Sequence, residues 1–182
     1  VYGKNKMDFT IENTLNRSLG AASKTEFDAG GFEYDQLVLN FSGVRQFEIG
    51  ALASPLNVAL GLEARRESYA IFAGEPDSYR NGGFTVIGGP NNGGLAGVGA
   101  QVFPGFKPSD AGAHDRDSKA VYVDFEQHLS ERWLLNLAGR FEDYSDFGNS
   151  STVKFATRYE VTPEFAVRAS ASSGFRAPHL AQ

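Results

Sequence analysis

The chain has 182 residues, no cysteine, and 17 basic against 22 acidic side chains, which gives a formal net charge of −5. The absence of cysteine excludes disulfides, cysteine-based zinc sites and thiol nucleophiles. Scattered Lys and Arg argue against nucleic-acid binding, which needs clustered positive charge to displace phosphate counterions. With 15 Phe, 7 Tyr and 21 Gly, the composition favours strands and loops over a helical bundle.

Apolar and polar side chains alternate along most of the chain, as they do in a strand with two different faces. Within residues 119–128, for example, Val121 and Val123 point one way while Tyr122 and Asp124 point the other. The same alternation predicts about seven strands, near residues 5–14, 35–50, 57–70, 118–129, 133–143, 152–161 and 165–173.

The predicted links between these strands alternate between short and long. Short turns are expected at 51–56, 130–132 and 162–164, and long loops at 15–34, 71–117 and 144–151. Outer-membrane barrels have short periplasmic turns and longer outer loops, so the pattern indicates an all-β antiparallel meander of about seven transmembrane strands. Two alternatives share the alternation: an antiparallel sandwich, and a self-contained small barrel or sheet that serves binding or structure, since eight strands can close.

The longest link, 71–117, contains a Gly- and Asn-rich tract with no phosphate-binding fingerprint. The simpler interpretation is a mobile surface loop. The functional interpretation is a lid that contacts ligand, because binding residues concentrate on loops held by a rigid scaffold. The candidate contacts in these outer loops are four aromatic residues: Tyr79, Phe84, Phe103 and Phe106.

Charged residues recur on the predicted polar face of the strands: Glu63, Arg65, Glu126, Arg140, Glu142, Arg158 and Arg168. They are expected either to form cross-strand charge pairs that line a water-filled interior, or to grip a domain seated inside the barrel through charge-assisted hydrogen bonds.

No catalytic or metal-binding constellation is apparent. The three histidines lie far apart in the sequence, and neither HExxH nor GxSxG occurs. The charged run 110–117 is predicted to be a solvated loop end, because its spacing matches no calcium loop. No cofactor, metal or enzymatic activity is therefore predicted. A hydrolase without a recognisable motif is the second functional alternative.

The end of the chain carries the segment Gly174-Phe175-Arg176-Ala177-Pro178, within the pattern S-x-G-[FY]-R-A-P-x-L. This segment resembles the barrel of TonB-dependent receptors. Three further segments, 55–69, 74–79 and 138–148, resemble the same family in the same order. The resemblance covers most of the chain after about residue 35.

This resemblance implies a receptor in the outer membrane of a Gram-negative bacterium that takes up a scarce nutrient such as a siderophore, cobalamin or a carbohydrate. It implies four partners: outer-membrane lipid, a plug domain inside the barrel, the TonB complex that supplies energy, and the small-molecule nutrient. The plug is absent from these residues, and such transporters close with about 22 strands. The chain is therefore expected to be an internal fragment or truncated product, a segment of a large barrel that cannot transport alone.

Overall fold

The computed structural model describes residues 1–50 and 53–180, which form one antiparallel sheet with little helix. Seven strands lie side by side in sequence order: β1 (Tyr2–Glu12), β2 (Glu26–Phe47), β3 (Leu56–Ala73), β4 (Gly112–Ser130), β5 (Trp133–Tyr144), β6 (Gly148–Thr162) and β7 (Phe165–Ser172). The β1–β2 link contains a 3-10 helix, Arg17–Ala22, and the β3–β4 link contains a single helical turn, α1 (Pro76–Tyr79).

The sheet is a meander, because every strand pairs with its neighbours in the sequence. This confirms the predicted all-β antiparallel fold of about seven strands. Within the described residues, β1 and β7 are the two edges and do not pair with each other. The closed small barrel that the strand count alone allowed is therefore not formed by these residues.

The two faces of the sheet differ in chemistry. Register places Leu62, Val121 and Phe141 side by side on one face, and Glu63 one residue along on the other. The apolar face is open: Phe41 is 74% exposed and Leu62 is 57% exposed. A sandwich would bury one face of the sheet beneath a second sheet, and no second sheet exists among the described residues.

The apolar face forms a band of limited height. Residues 56–64 carry it in β3, and at about 3.3 Å per residue they span roughly 26 Å along the strand. Above the band lie charged residues, since Ala64 is in register with Lys119 and Lys119 with Asp143. A membrane strand needs about 9–11 residues. The 22 residues of β2 therefore extend well past the band on the side of the long links.

Three predicted loop boundaries differ from the structure. The loop expected at 15–34 ends before Glu26, because the glycine-rich start of β2 pairs with both β1 and β3. The loop expected at 71–117 covers only residues 74–111. The loop expected at 144–151 is a three-residue turn, because the polar residues 148–151 pair with β5. Part of the turn expected at 51–56, Ala51 and Leu52, lies outside the described residues.

Candidate functional site

The polar face of the sheet carries all seven charged residues that were singled out from the sequence. Their positions follow from the period of two along each strand and from the register between strands. Four of them meet in one cluster near the middle of the sheet: Glu63, Arg65, Arg140 and Glu142. The other three, Glu126, Arg158 and Arg168, lie closer to the short-turn end.

Glu63 is the centre of this cluster. Its Oε1 accepts hydrogen bonds from Nη2 of Arg65 and Nη2 of Arg140, each at 3.0 Å. Arg140 also donates to Glu142 Oε1 at 2.7 Å. Arg140 can reach from β5 to β3 because the intervening residue of β4 is Ala120, which is in register with both glutamates. The cluster is partly buried, which raises the value of charge-assisted hydrogen bonds above that of a surface pair.

Most of the ion pairs on this face run along a strand rather than across it. Arg65 pairs with Glu63 two residues away, and Arg158 pairs with Glu160 in the same way. Of the charged residues singled out from the sequence, Arg140 and Glu63 form the one cross-strand ion pair that the described part of the chain contains. Arg158 lies directly opposite Arg168 on the same face, and Glu160 offsets the charge of Arg158 but is not paired with Arg168 among the described residues.

Tyr122 was assigned to the polar face from the sequence, but it was not singled out as a site residue. Its ring packs against Gly61, where an added Cβ would lie 2.0 Å from the ring carbon Cζ. The Arg140 guanidinium lies 5.9 Å from the same ring centroid. A glycine inside a strand marks a close approach by another group. Gly61 was therefore the sequence signal that could have pointed to a packed side chain at this position.

The two long links pack together around a buried side chain, Asn16, which is 0% exposed. Its amide donates to the carbonyls of Asp77 and Arg80, both at 2.9 Å. Its Oδ1 accepts from Ser18 Oγ at 2.7 Å and from Gly99 N at 3.0 Å. These bonds connect the β1–β2 link to three separate points of the β3–β4 link. Hydrogen bonds to Asn16 therefore hold the β3–β4 link against the β1–β2 link.

The Gly- and Asn-rich tract of the long link forms the tip of a small hairpin. Thr85 and Leu95 form an isolated bridge, and the backbone of Val86 bonds to Gly93 and Gly94 at 2.8 Å. The turn between them is exposed.

The four aromatic loop candidates do not form one site. Phe103 and Phe106 pack against each other with ring centroids 5.3 Å apart, and both pack against Phe9 of β1. These two rings thereby hold the β3–β4 link against β1. Phe84 is 43% exposed and covers Gly20, and Tyr79 ends α1. No ring contact joins Tyr79 or Phe84 to the other two within the described residues.

The family-like segment Gly174, Phe175, Arg176, Ala177 and Pro178 folds inward after β7. Ser173 ends the pairing with β6 through its backbone N–H, which donates to Val153 O at 2.9 Å. The chain then crosses the polar face, where Pro178 O accepts from Arg116 Nη1 at 2.8 Å. Arg116 was predicted to lie in a solvated loop end. It is instead 5% exposed, because the returning segment covers it.

Two ionisable groups in the links depart from their ordinary protonation behaviour. A hydrogen bond to Glu75, at 2.5 Å, raises the pKa of the Lys24 ammonium. The backbone N–H of Lys107 and the hydroxyl of Ser109 hold the pKa of the Asp110 carboxyl below its usual range. Both pairs restrain local turns in the links.

Among the described residues, no group of three or more His, Asp or Glu side chains is placed to hold a metal ion. None of the helices in this part of the chain is long and apolar enough to cross a membrane.

Comparison with known proteins identifies the class of fold. Residues 2–182 match the family described as TonB dependent receptor-like, beta-barrel. The chain therefore belongs to the TonB-dependent receptor β-barrel family. This family lies in the outer membrane of Gram-negative bacteria and consists of receptors and transporters. Outer-membrane barrels turn an apolar face to lipid and a polar face to the interior, with longer loops at the outer end and short turns at the periplasmic end. By that convention we call the polar face of this sheet the inner face and its long links the outer links.

Among curated proteins, a 68-residue stretch is 42% identical to the vitamin B12 transporter BtuB of Vibrio cholerae serotype O1, covering 37% of this chain and 11% of that protein. A 64-residue stretch is 36% identical to the vitamin B12 transporter BtuB of Photobacterium profundum, covering 35% of this chain and 10% of that protein. The matches thus span about a tenth of the length of these relatives. No solved structure matches the chain significantly.

Proposed function

We propose that the chain forms part of the wall of an outer-membrane receptor that takes up a scarce nutrient by TonB-dependent active transport. The observation that carries this proposal is the two-faced sheet: an exposed apolar band on one side and an ion-paired polar surface on the other, in a chain of this family. A wall with one lipid face and one wet face separates a membrane from an aqueous passage.

The proposed nutrient is a corrinoid such as cobalamin. Both curated relatives named above are vitamin B12 transporters, which favours this class over a siderophore or a carbohydrate. The test expresses the complete gene product in cells that lack their own cobalamin receptor. Accumulation of labelled cyanocobalamin that stops without TonB supports the proposal. Energy-dependent accumulation of a ferric siderophore or a sugar, without cyanocobalamin, would replace cobalamin with that substrate.

The inner-face charges are proposed to serve the water-filled interior and the plug. The cluster around Glu63 is satisfied by its own partners and is proposed to line the passage. Arg158 and Arg168 face each other, and Arg168 and Glu126 have no ion pair within the described residues. A carboxylate from a plug domain placed between the two arginines would relieve their repulsion. Exchanging one arginine for glutamine should therefore weaken plug retention more than exchanging Arg65.

The outer links are proposed to receive the ligand. Tyr79 and Phe84 present accessible aromatic surface, whereas Phe103 and Phe106 shape the base of the link by packing on β1. The other proposed partners are outer-membrane lipid along the band and the TonB complex. Further strands are proposed to pair with the edge strands β1 and β7, because the backbone N–H and C=O groups of an open sheet edge find no hydrogen-bond partners in lipid. No catalytic role is proposed for any residue.

A further inference from the structure

The segment from Gly174 to Leu180, which we call the strap, runs inward from the end of β7 and crosses the polar face of three strands. Phe175 packs against Tyr144 and Phe147, with ring centroids 6.1 and 5.6 Å apart. Further along, His179 meets the ring of Tyr69 in β3 at 5.8 Å. The strap thus reaches from one edge of the sheet to a strand four positions away.

Arg116 of β4 fastens the strap at its centre. Its Nε and Nη2 lie 2.8 and 2.7 Å from Asp146 Oδ2 in the β5–β6 turn, while Nη1 donates to Pro178 O at 2.8 Å. The Phe147 ring lies 5.2 Å from the guanidinium carbon. The planar guanidinium group therefore binds a carboxylate and a strap carbonyl at the same time. The single ammonium group of lysine cannot reproduce this geometry.

The burial of Arg116 makes this contact consequential. A buried charge is costly unless it is paired and hydrogen-bonded, and the strap supplies both the cover and one of the bonds. Closure of the strap and satisfaction of Arg116 therefore depend on each other.

The strap and the polar face of the sheet together line two cavities. One cavity of about 810 Å³ lies between the strap and a wall that includes Tyr34, Glu67 and Tyr144. A second cavity of about 660 Å³ lies beside Ser109 and His114. Both cavities are lined by Arg116 and by the end of the strap, Pro178 to Leu180.

We propose that Arg116 is a positioning residue that latches the strap across the inner face and thereby controls access from the outer end to the cavity beside Tyr34. Releasing the latch lets the strap leave the wall. The proposal rests on the proposed function only in that the long links must face the cell exterior.

Access can be measured on intact cells with thiol chemistry, because these 182 residues contain no cysteine and any cysteine elsewhere in the gene product can first be replaced by serine. The complete gene product is expressed with Tyr34→Cys, and the rate of reaction with a membrane-impermeant maleimide is recorded. We expect slow labelling with the native latch and labelling about tenfold faster with Arg116→Gln, since a hydrogen bond to a charged group shifts such an equilibrium by about that factor. Arg116→Lys should fall between the two.

The matched control is Arg66→Gln. Arg66 is one residue from Arg65, in register with Asp117, and on the opposite face of the sheet. Arg66→Gln should leave the rate of maleimide labelling at Tyr34→Cys unchanged. A spin label at Arg176→Cys should gain mobility with Arg116→Gln, whereas a label at Ser170→Cys in β7 should not. Equal mobility gains at both positions would mean that Arg116 only stabilises the sheet, and would overturn the latch.

Asn91→Cys, at the exposed tip of the long link, separates failure of the latch from failure of the proposed orientation. If Asn91→Cys is unreactive from outside, the proposed placement of the receptor fails. If Asn91→Cys reacts quickly, and Tyr34→Cys reacts at the same rate with native Arg116 as with Arg116→Gln, the latch fails. Should Arg116→Gln not fold, Asp146→Asn carries the same test, because it removes the carboxylate and leaves the arginine in place.

Discussion

The membrane band and the outer region of this sheet follow opposite packing rules. In the band, large apolar side chains such as Phe41 and Leu62 are exposed and the backbone ladder joins the strands. In the outer region, the largest fully buried side chains belong to Phe27, Asn16, Ser18 and Ser78, three of which are polar. The band has lipid as its solvent and needs no apolar core, whereas the outer region stands in water and buries hydrogen-bonded polar side chains together with apolar ones such as Ala29 and Ala100.

The largest effect that separates the two regions is expected from Asn16→Ala. The change leaves buried donors and acceptors of both links without partners, at a cost of about 4 kcal/mol to the outer region. Limited proteolysis should cut the 74–111 link rapidly while the strands of the band remain protected. Asn91→Ala, at the exposed tip, should change nothing. Loss of the whole barrel with Asn16→Ala would show that the two regions are not separable.

A charge in the band tests the opposite rule. Leu62→Arg places a guanidinium in lipid and should lower the free energy of unfolding by about 2–4 kcal/mol. Ser68→Arg lies on the same face of β3 but above the band, next to Asp35 and Asp115 in register, and should cost less than about 1 kcal/mol. Denaturant unfolding of the complete barrel in vesicles measures both. Equal costs would contradict the position assigned to the band.

The inner-face cluster should respond more moderately. Glu63→Gln removes the charge that Arg65 and Arg140 share and should cost about 1.5–3 kcal/mol, the usual value of a hydrogen bond to a charged group. Asp115→Asn breaks only the exposed 3.9 Å pair with Arg66 and should cost less than about 0.5 kcal/mol. The same unfolding assay compares them, and no difference between the two variants would argue against the cluster.

The smallest effect is expected from acid in the outer link. Because the pKa of folded Asp110 is held below 3.8, its contribution to the local turn is complete above the unfolded pKa. That contribution is lost as pH falls through the lower folded value. Pepsin cleavage near residues 107–112 should therefore increase as pH drops below about 3.8. Asp110→Asn should cleave readily at every pH in this range, and an unchanged acid dependence in that variant would refute the assignment.

Period-two alternation predicted the strands well where both faces carry typical residues. The prediction at 57–70 corresponds to β3 at Leu56–Ala73, and that at 133–143 to β5 at Trp133–Tyr144. It was wrong at the starts of β2, β4 and β6, which all lie earlier in the chain than predicted. Glycines and small polar or charged residues at these starts are typical of turns, yet these segments pair with neighbouring strands, which propensity alone does not show.

The charged residues of the inner face could be assigned to one side of the sheet because successive side chains of a strand point to opposite faces. Their partners could not be predicted, since reaching from Arg140 to Glu63 depends on the small Ala120 between them. Arg116 was mistaken for a loop residue because its cover comes from Pro178, 62 positions along the chain. An irregular segment that folds back leaves no periodic signal in the sequence.

The strict neighbour order of the strands also bears on how this wall assembles. A meander can grow by adding one hairpin at a time to an edge, because each new strand needs only the strand made before it. The β4–β5, β5–β6 and β6–β7 hairpins close through turns of a few residues, whereas β3 and β4 must close the 74–111 link before Ile71 can meet Gly112. The entropic cost of closing a loop grows with its length, so this junction carries a larger closure cost than the three hairpins with short turns. Contacts between the two outer links are then positioned to offset that cost.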